Sequence, residues 1–377
     1  MIPVRHHHPH SGPSRPRRRR RAFTLVEVMV SVTILALLMV LITSSIGRVQ
    51  SIWVDTRARA EQFQEARAAF ETMARRLGQA TLDSYWAYQI TNGRPTLYIR
   101  DSDLHFVAGP AADIVSAVDA GPGQAVFFQS TFGFAGSKTG GAANQPTDRL
   151  DDLLNAWGYY VTYNSDLDDR PDFLRQDLGR HPERRRFRLM EFRQPSEDFR
   201  LFSSQLNLRH ASTPGQAHAW FNGPFPGGHS HADHTTPLAD NILAVFVTPR
   251  APDNLIGNNI AWDPAPDYRY DTRAHQWQGL NSQTAKSRHQ LPPVLDLTLI
   301  AVQERSWERF EDARGETGAR SFVDNLFNGR FANADDFQDD LDEVEQQLLD
   351  SGLQHRVFTT AVPLRASKWI TEQEGAQ

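Results

Sequence analysis

Residues 229–234 read His-Ser-His-Ala-Asp-His, three imidazoles and a carboxylate within six positions. Imidazole nitrogens and carboxylate oxygens are proper zinc ligands, and a zinc site with an open position activates water near neutral pH. The chemistry on offer is therefore metal-assisted hydrolysis by His229, His231, Asp233 and His234, with further ligands from His275, His289 or His355. The local sequence argues against it. Gly223-Pro-Phe-Pro-Gly-Gly228 runs directly into the motif, and such a stretch cannot be a strand interior that would hold ligands rigidly. The group reads as a His-rich polar loop, and no metal is assigned to it.

A second set of donors is acidic. Asp166, Asp168, Asp169 and Asp172 fall in Asn-Ser-Asp-Leu-Asp-Asp-Arg-Pro-Asp, dense enough in oxygen to suit a hard cation. The central Gly and closing Glu of a calcium loop are missing, so this reads as a surface loop. Asp335, Asp336, Asp339, Asp340 and Asp342 read as the start and solvated face of a helix, where acids suit the positive end of the helix dipole. The chain has no cysteine, which excludes disulfides, thiolate metal sites and a cysteine nucleophile. Neither a phosphate-binding G-x-x-x-x-G-K-[ST] loop nor a G-x-S-x-G elbow occurs. No enzyme activity and no cofactor are expected.

The most distinctive titratable group is a lone carboxylate. Residues 23–46 form a run of 24 residues whose single charge is Glu27. As a helix this run reaches roughly 36 Å, enough to cross a hydrocarbon core of about 30 Å. Before it, residues 1–22 hold seven arginines, among them Arg17 to Arg21, and no acid. Basic residues on that flank place the leader in the cytoplasm and send the body outward. The chain's formal charge is −5; with the +7 of the leader subtracted, the rest carries −12. A nucleic-acid partner is not expected for so acidic a body.

The elements that must position these groups follow from periodicity. Val49, Ile52, Trp53, Thr56, Ala60, Phe63, Ala66, Phe70, Met73 and Leu77 recur at steps of three and four, which continues the helix to a stop at Gly78. Beyond it, short strands are predicted at 85–90, 96–100, 105–108, 125–129, 158–163, 186–193, 242–248, 294–302 and 358–364, with a hairpin turn at Asn92-Gly93. One helix is predicted over 336–351, ended by Gly352. Residues 132–148, 218–236 and 249–290 read as loops. With 40% hydrophobic residues in 377, including 22 Phe and 8 Trp, the chain can pack a core. The expected fold is α+β: a long N-terminal hydrophobic helix packed on a β-rich domain, divided as leader 1–22, membrane and stalk helix 23–78, and outward-facing body 79–377.

The order basic run, Ala22, Phe23-Thr-Leu-Val-Glu27 and apolar helix resembles the class III signal of type IV prepilins and type II secretion pseudopilins. The resemblance implies cleavage by a prepilin peptidase between Ala22 and Phe23, with methylation of the new Phe23 amine. Ala22 stands where the family usually has Gly. It also implies that Glu27 pairs with that amine, in its own chain or a neighbour's, during assembly. The long helix and β-rich body resemble a J-type minor pseudopilin. The stretches at 344–369 and 239–250 resemble one of the Verru_Chthon cassette proteins, bacterial prepilin-like proteins. The implied function is structural, in a pseudopilus or tip complex for secretion or surface display. The implied partners are other pseudopilins, the peptidase, an inner-membrane assembly platform and the lipid bilayer, with the chain single-pass in the inner membrane and its body periplasmic. The spelling of residues 229–234 is similar to the H-x-H-x-D-H motif of the metallo-β-lactamase fold, which implies the alternative of an envelope-anchored zinc hydrolase. A membrane-anchored adhesin is the third reading.

Overall fold

The computed structural model describes residues 25–133, 153–167, 169–175, 179–180, 182–223, 225, 228–251 and 264–369, the side chains of 44–62 and 197 excepted. The chain divides into two compact units, Met1–Ala58 and Arg59–Gln377. What is described of the first unit is helix. Helix α1 spans Leu25–Leu77, 53 residues, and every side chain from Leu25 to Thr43 is exposed. Three hydroxyls in this apolar stretch turn back onto the helix: Ser31 to the Val28 carbonyl, Thr33 to Met29 and Thr43 to Met39, at 2.7–2.9 Å. Such bonds leave no side-chain donor seeking water, which an apolar solvent requires.

In the second unit the same helix changes character. Ala66, Ala69, Phe70, Met73 and Leu77 are buried while Arg67 and Glu71 form an exposed pair at 2.8 Å. Ala66, Phe70, Met73 and Leu77 belong to the stripe read from the sequence, Ala69 joins them, and all five are part of the core cluster of the described residues.

The described residues of this unit form three antiparallel sheets, two of which supply the core. Strands β1 (Tyr85–Thr91) and β2 (Arg94–Asp101) make a two-stranded hairpin, turned by Asn92 and Gly93, both at positive φ, as a type I′ turn requires. The six-stranded sheet comprises β3 (Val107–Pro110), β4 (Gln124–Ser130), β5 (Asn155–Ser165), β6 (Arg185–Gln194), β7 (Thr235–Asp240) and β9 (Tyr270–Asp271). Its order is β7-β6-β5-β4-β3-β9. The three-stranded sheet has the order β11-β10-β8, from β8 (Ile242–Arg250), β10 (Val294–Val302) and β11 (His355–Pro363). Strand β8 lies against β4, β5 and β6, so β4 and β8 are buried along nearly their whole length. Close approach inside the large sheet demands glycine at 158: a Cβ there would sit 2.2 Å from the Phe127 ring, which stacks at 3.9 Å on Phe221.

Two helices cover the small sheet. Helix α2 (Glu304–Phe327) and helix α3 (Phe337–Asp350) flank Phe246 of β8, whose ring meets Phe327, Phe331 and Phe337. Gly352, at φ 72°, ends α3 as expected, with Leu353 N–H bonded to the Leu348 carbonyl at 2.9 Å. Helix α2 was not expected from sequence. Gly315 inside it is non-helical at φ 73° and ψ 160°, so the apolar positions on either side of it are out of phase and present no continuous stripe. Two expected loops also hold structure: 218–236 leads into β7, and 249–290 contains β9 and short helices at His275–Gln278 and Ser282–Ser287. The loop expected at 132–148 lies almost wholly outside the described residues.

Candidate functional site

Four groups of residues are candidates for function: the N-terminal helix, the histidine motif, the acidic loop, and a cluster that the sequence did not reveal. Ala22 and Phe23 lie outside the described residues. Glu27 stands in the first turn of α1, where the helix dipole favours a negative charge, and is the only charged residue between Leu25 and Thr43. Those 19 residues form an apolar helix long enough to cross a membrane, about 28 Å at 1.5 Å per residue.

The histidine motif does not converge. A 3₁₀ turn at Ala232–His234 has three residues per turn, so His231 and His234 share its buried face while His229 and Asp233 are exposed. His231 Nδ1 lies 2.6 Å from the Phe221 carbonyl, which can only accept, so Nδ1 carries the proton. Its Nε2 lies 2.8 Å from the Tyr160 hydroxyl and accepts from it. Both nitrogens are thus committed, and burial lowers the His231 pKa, so this imidazole is a core member stacked on Phe192 at 5.0 Å. Asp233 accepts from Ser230 N–H and Oγ at 2.6 and 2.8 Å, bonds that hold its carboxyl below the usual range. His234 packs edge-on against Phe225 at 4.6 Å, and burial lowers its pKa as well.

The acidic loop is similarly occupied by protein. Asp166 accepts from Arg170 and from the Arg184 amide at 3.0 Å, and Asp169 accepts from Arg188 at 2.7 Å. Guanidinium groups thus fill the places a cation would take. Asp168 lies outside the described residues.

Among the described residues, one group does bring metal-type ligand atoms together: His105, His218 and Asp271, whose ligand atoms lie within 4.8 Å of one another. They come from the loop before β3, the end of a short helix at Pro214–Ala217, and β9. His105 Nε2 is 2.8 Å from Asp271 Oδ1, and His218 Nε2 is 2.9 Å from Oδ2. The indole N–H of Trp220 donates to His105 Nδ1 at 3.0 Å. An indole can only donate, so neutral His105 carries its proton on Nε2 and gives it to Asp271. A metal at that nitrogen would need the lone pair this bond consumes. The cluster is therefore a proton-ordered relay, Trp220 to His105 to Asp271, with His218 donating from the other side. Burial pushes His105 down to about 4. Burial alone would raise Asp271, but the donors of His105 and His218 outweigh it and hold the carboxyl well below the usual carboxylate range. In its neutral form His218 then keeps a lone pair on Nδ1. Spacings of 113 and 53 residues between the three left no local pattern to find.

The comparisons with known proteins concern the N terminus. The family described as the prokaryotic N-terminal methylation motif matches residues 17–43, the segment of the basic run, Ala22, Glu27 and the apolar helix. The match gives the chain a type IV prepilin-like N terminus and supports a pilin- or pseudopilin-type structural role. It implies assembly with other pilin-like proteins and processing by a prepilin peptidase in general terms, and the single apolar helix fits a single-pass membrane anchor. No curated protein and no solved structure matches the chain.

Proposed function

With a prepilin-like N terminus as the premise, we propose that this protein is a minor pseudopilin. The peptidase cuts between Ala22 and Phe23 and methylates the Phe23 amine. The mature chain stays single-pass in the inner membrane, the leader 1–22 having faced the cytoplasm. The helix 23–78 serves as membrane span and stalk, and the body 79–377 faces the periplasm, from which it enters a short pseudopilus or tip complex with sister subunits on an inner-membrane assembly platform.

The observation that carries this reading is an exposed, unbroken apolar helix with one carboxylate at its start. A carboxylate inside a membrane span is stabilised by a nearby positive charge, and cleavage creates a cation four residues before Glu27. That amine neutralises Glu27 in the same chain or in a neighbouring subunit, which makes the pair a register device for packing helices side by side. A body of about 300 residues is large for a repeating subunit and suits a tip or low-copy position.

The test is N-terminal mass spectrometry of the membrane-extracted protein after co-expression with a prepilin peptidase. A chain beginning at methylated Phe23 is expected, and an intact Met1 terminus would overturn the proposal. Glu27→Val is expected to leave membrane insertion intact and abolish co-purification with partner pseudopilins. Protease treatment of intact cells then separates surface display or adhesion, in which the body is cut, from a periplasmic pseudopilus, in which it is protected.

A further inference from the structure

The relay of His105, Asp271 and His218 opens onto a cavity of about 650 Å³ whose wall includes His218, Asp271, Trp277, Gln283 and Arg269. It belongs to the body and is independent of the N-terminal reading. Its polar lining is biased toward acceptors. At the rim Arg269 donates to Asp113 at 2.6 Å and lies 3.6 Å from Asp267, so one guanidinium serves two carboxylates that both line the cavity. Asp271 adds a third, deeper carboxylate. The excess is negative even with His218 protonated.

Two further atoms await a donor. His218 in its neutral form has a lone pair at Nδ1, because Nε2–H is given to Asp271. Gln283 Oε1 is buried with no hydrogen-bond partner among the described residues, a state that costs free energy until something donates to it. Beside these stands an aromatic surface. Trp277 is half-buried, its ring edge-on to His218 at 6.3 Å and 89°. Apolar residues, among them Pro110, Ile114 and Pro266, complete the wall.

We propose that this cavity binds a primary ammonium group carried on an aliphatic chain. The ammonium supplies three donors and one positive charge to a wall that offers acceptors and surplus negative charge, and a tryptophan face attracts a cation directly. The aliphatic chain covers the proline and isoleucine surface. An anion is repelled here, and a neutral polyol leaves the carboxylate excess uncompensated. The ammonium can come from a free diamine or from a lysine side chain of a polypeptide.

Isothermal titration of the full chain in detergent tests this with cadaverine, with a short peptide bearing one lysine, and with that peptide acetylated on the lysine Nζ. Saturable binding of at least one amine probe is expected, weakened at least tenfold by removal of the charge on acetylation. Binding of cadaverine assigns a free amine, and binding of the lysine peptide alone assigns a polypeptide partner. Trp277→Ala and Asp113→Asn are each expected to weaken binding at least fivefold without moving the thermal midpoint. Gln283→Ala serves if Trp277→Ala does not fold. No saturable binding of either amine, equal binding of the acetylated peptide, equal binding of glucose, or unaltered binding by the variants would each overturn the proposal.

Discussion

The two ends of helix α1 are made of the same backbone and obey opposite rules. From Leu25 to Thr43 the helix is apolar on every face and every side chain is exposed. From Ala66 to Leu77 it is apolar on one face only, and that face is buried. An all-round apolar surface is stable only where the surroundings are apolar on all sides, whereas a stripe matches a protein core on one side and water on the other. The pattern of side chains thus encodes the solvent each half is built for, and the difference can be broken residue by residue.

The largest effect is expected at Arg76. Its guanidinium bonds Glu191, which is buried on β6 and also accepts from the Tyr159 hydroxyl at 2.9 Å, and it lies 4.3 Å above the Trp157 ring. Arg76→Ala removes the hydrogen-bonded cation of the buried Glu191 carboxylate, Arg193 remaining 3.6 Å away, and is expected to cost about 3–5 kcal/mol. Chemical denaturation of the chain in detergent, followed by tryptophan fluorescence, measures it. Met73→Ala, at a fully buried position, is expected to cost about 2–5 kcal/mol by leaving a cavity in the same assay. The matching change in the other half, Met39→Ala, is expected to leave the unfolding midpoint of the body unmoved.

Acidification gives a third contrast, since the exposed half of α1 holds no histidine. In the body, burial holds His105 and His275 at about 4, below the ordinary value of about 6.5. Below that ordinary value the unfolded chain takes up protons that the folded chain refuses. Stability therefore falls as pH drops from about 6.5 toward 4, and at pH 5 the loss is about 2 kcal/mol for each of these two groups. Thermal unfolding between pH 7 and 5 reads it, and a flat profile would contradict the burial. Apart from the silent Met39→Ala, the smallest effect is expected for Glu71→Ala, which breaks only the exposed pair with Arg67 and is worth about 0.3–0.5 kcal/mol.

Much of this architecture was written locally. The strands at 242–248 and 294–302, the hairpin at Asn92-Gly93 and the helix at 336–351 each carry their own period or turn residues, and each is present within a few positions. Helix α2 escaped because Gly315 resets its phase, and β7 because it begins among polar residues at Thr235. The site divides the same way. Glu27 is legible because one charge in an apolar run stands out whatever the fold. The histidine motif was read as a polar loop, and the sequence did not show that a 3₁₀ turn buries two of its members, His231 and His234, in the core. His105, His218 and Asp271 are invisible in the sequence, being neighbours only after the sheet has closed.

That closure has a temporal consequence. Strand β9 completes the large sheet by pairing with β3, joining Ala108 to Tyr270, and it brings in the carboxylate that satisfies His105 and His218. Such distant pairing is slow, because a long loop must be closed before any contact rewards it. A chain emerging from its N terminus thus carries His105 for 166 residues before Asp271 appears, and both imidazoles for the last 53 of these, with the β3 edge open meanwhile. Residue 271 acts as a late keystone, and the span from β3 to β9 is the interval in which this body is most exposed to premature association.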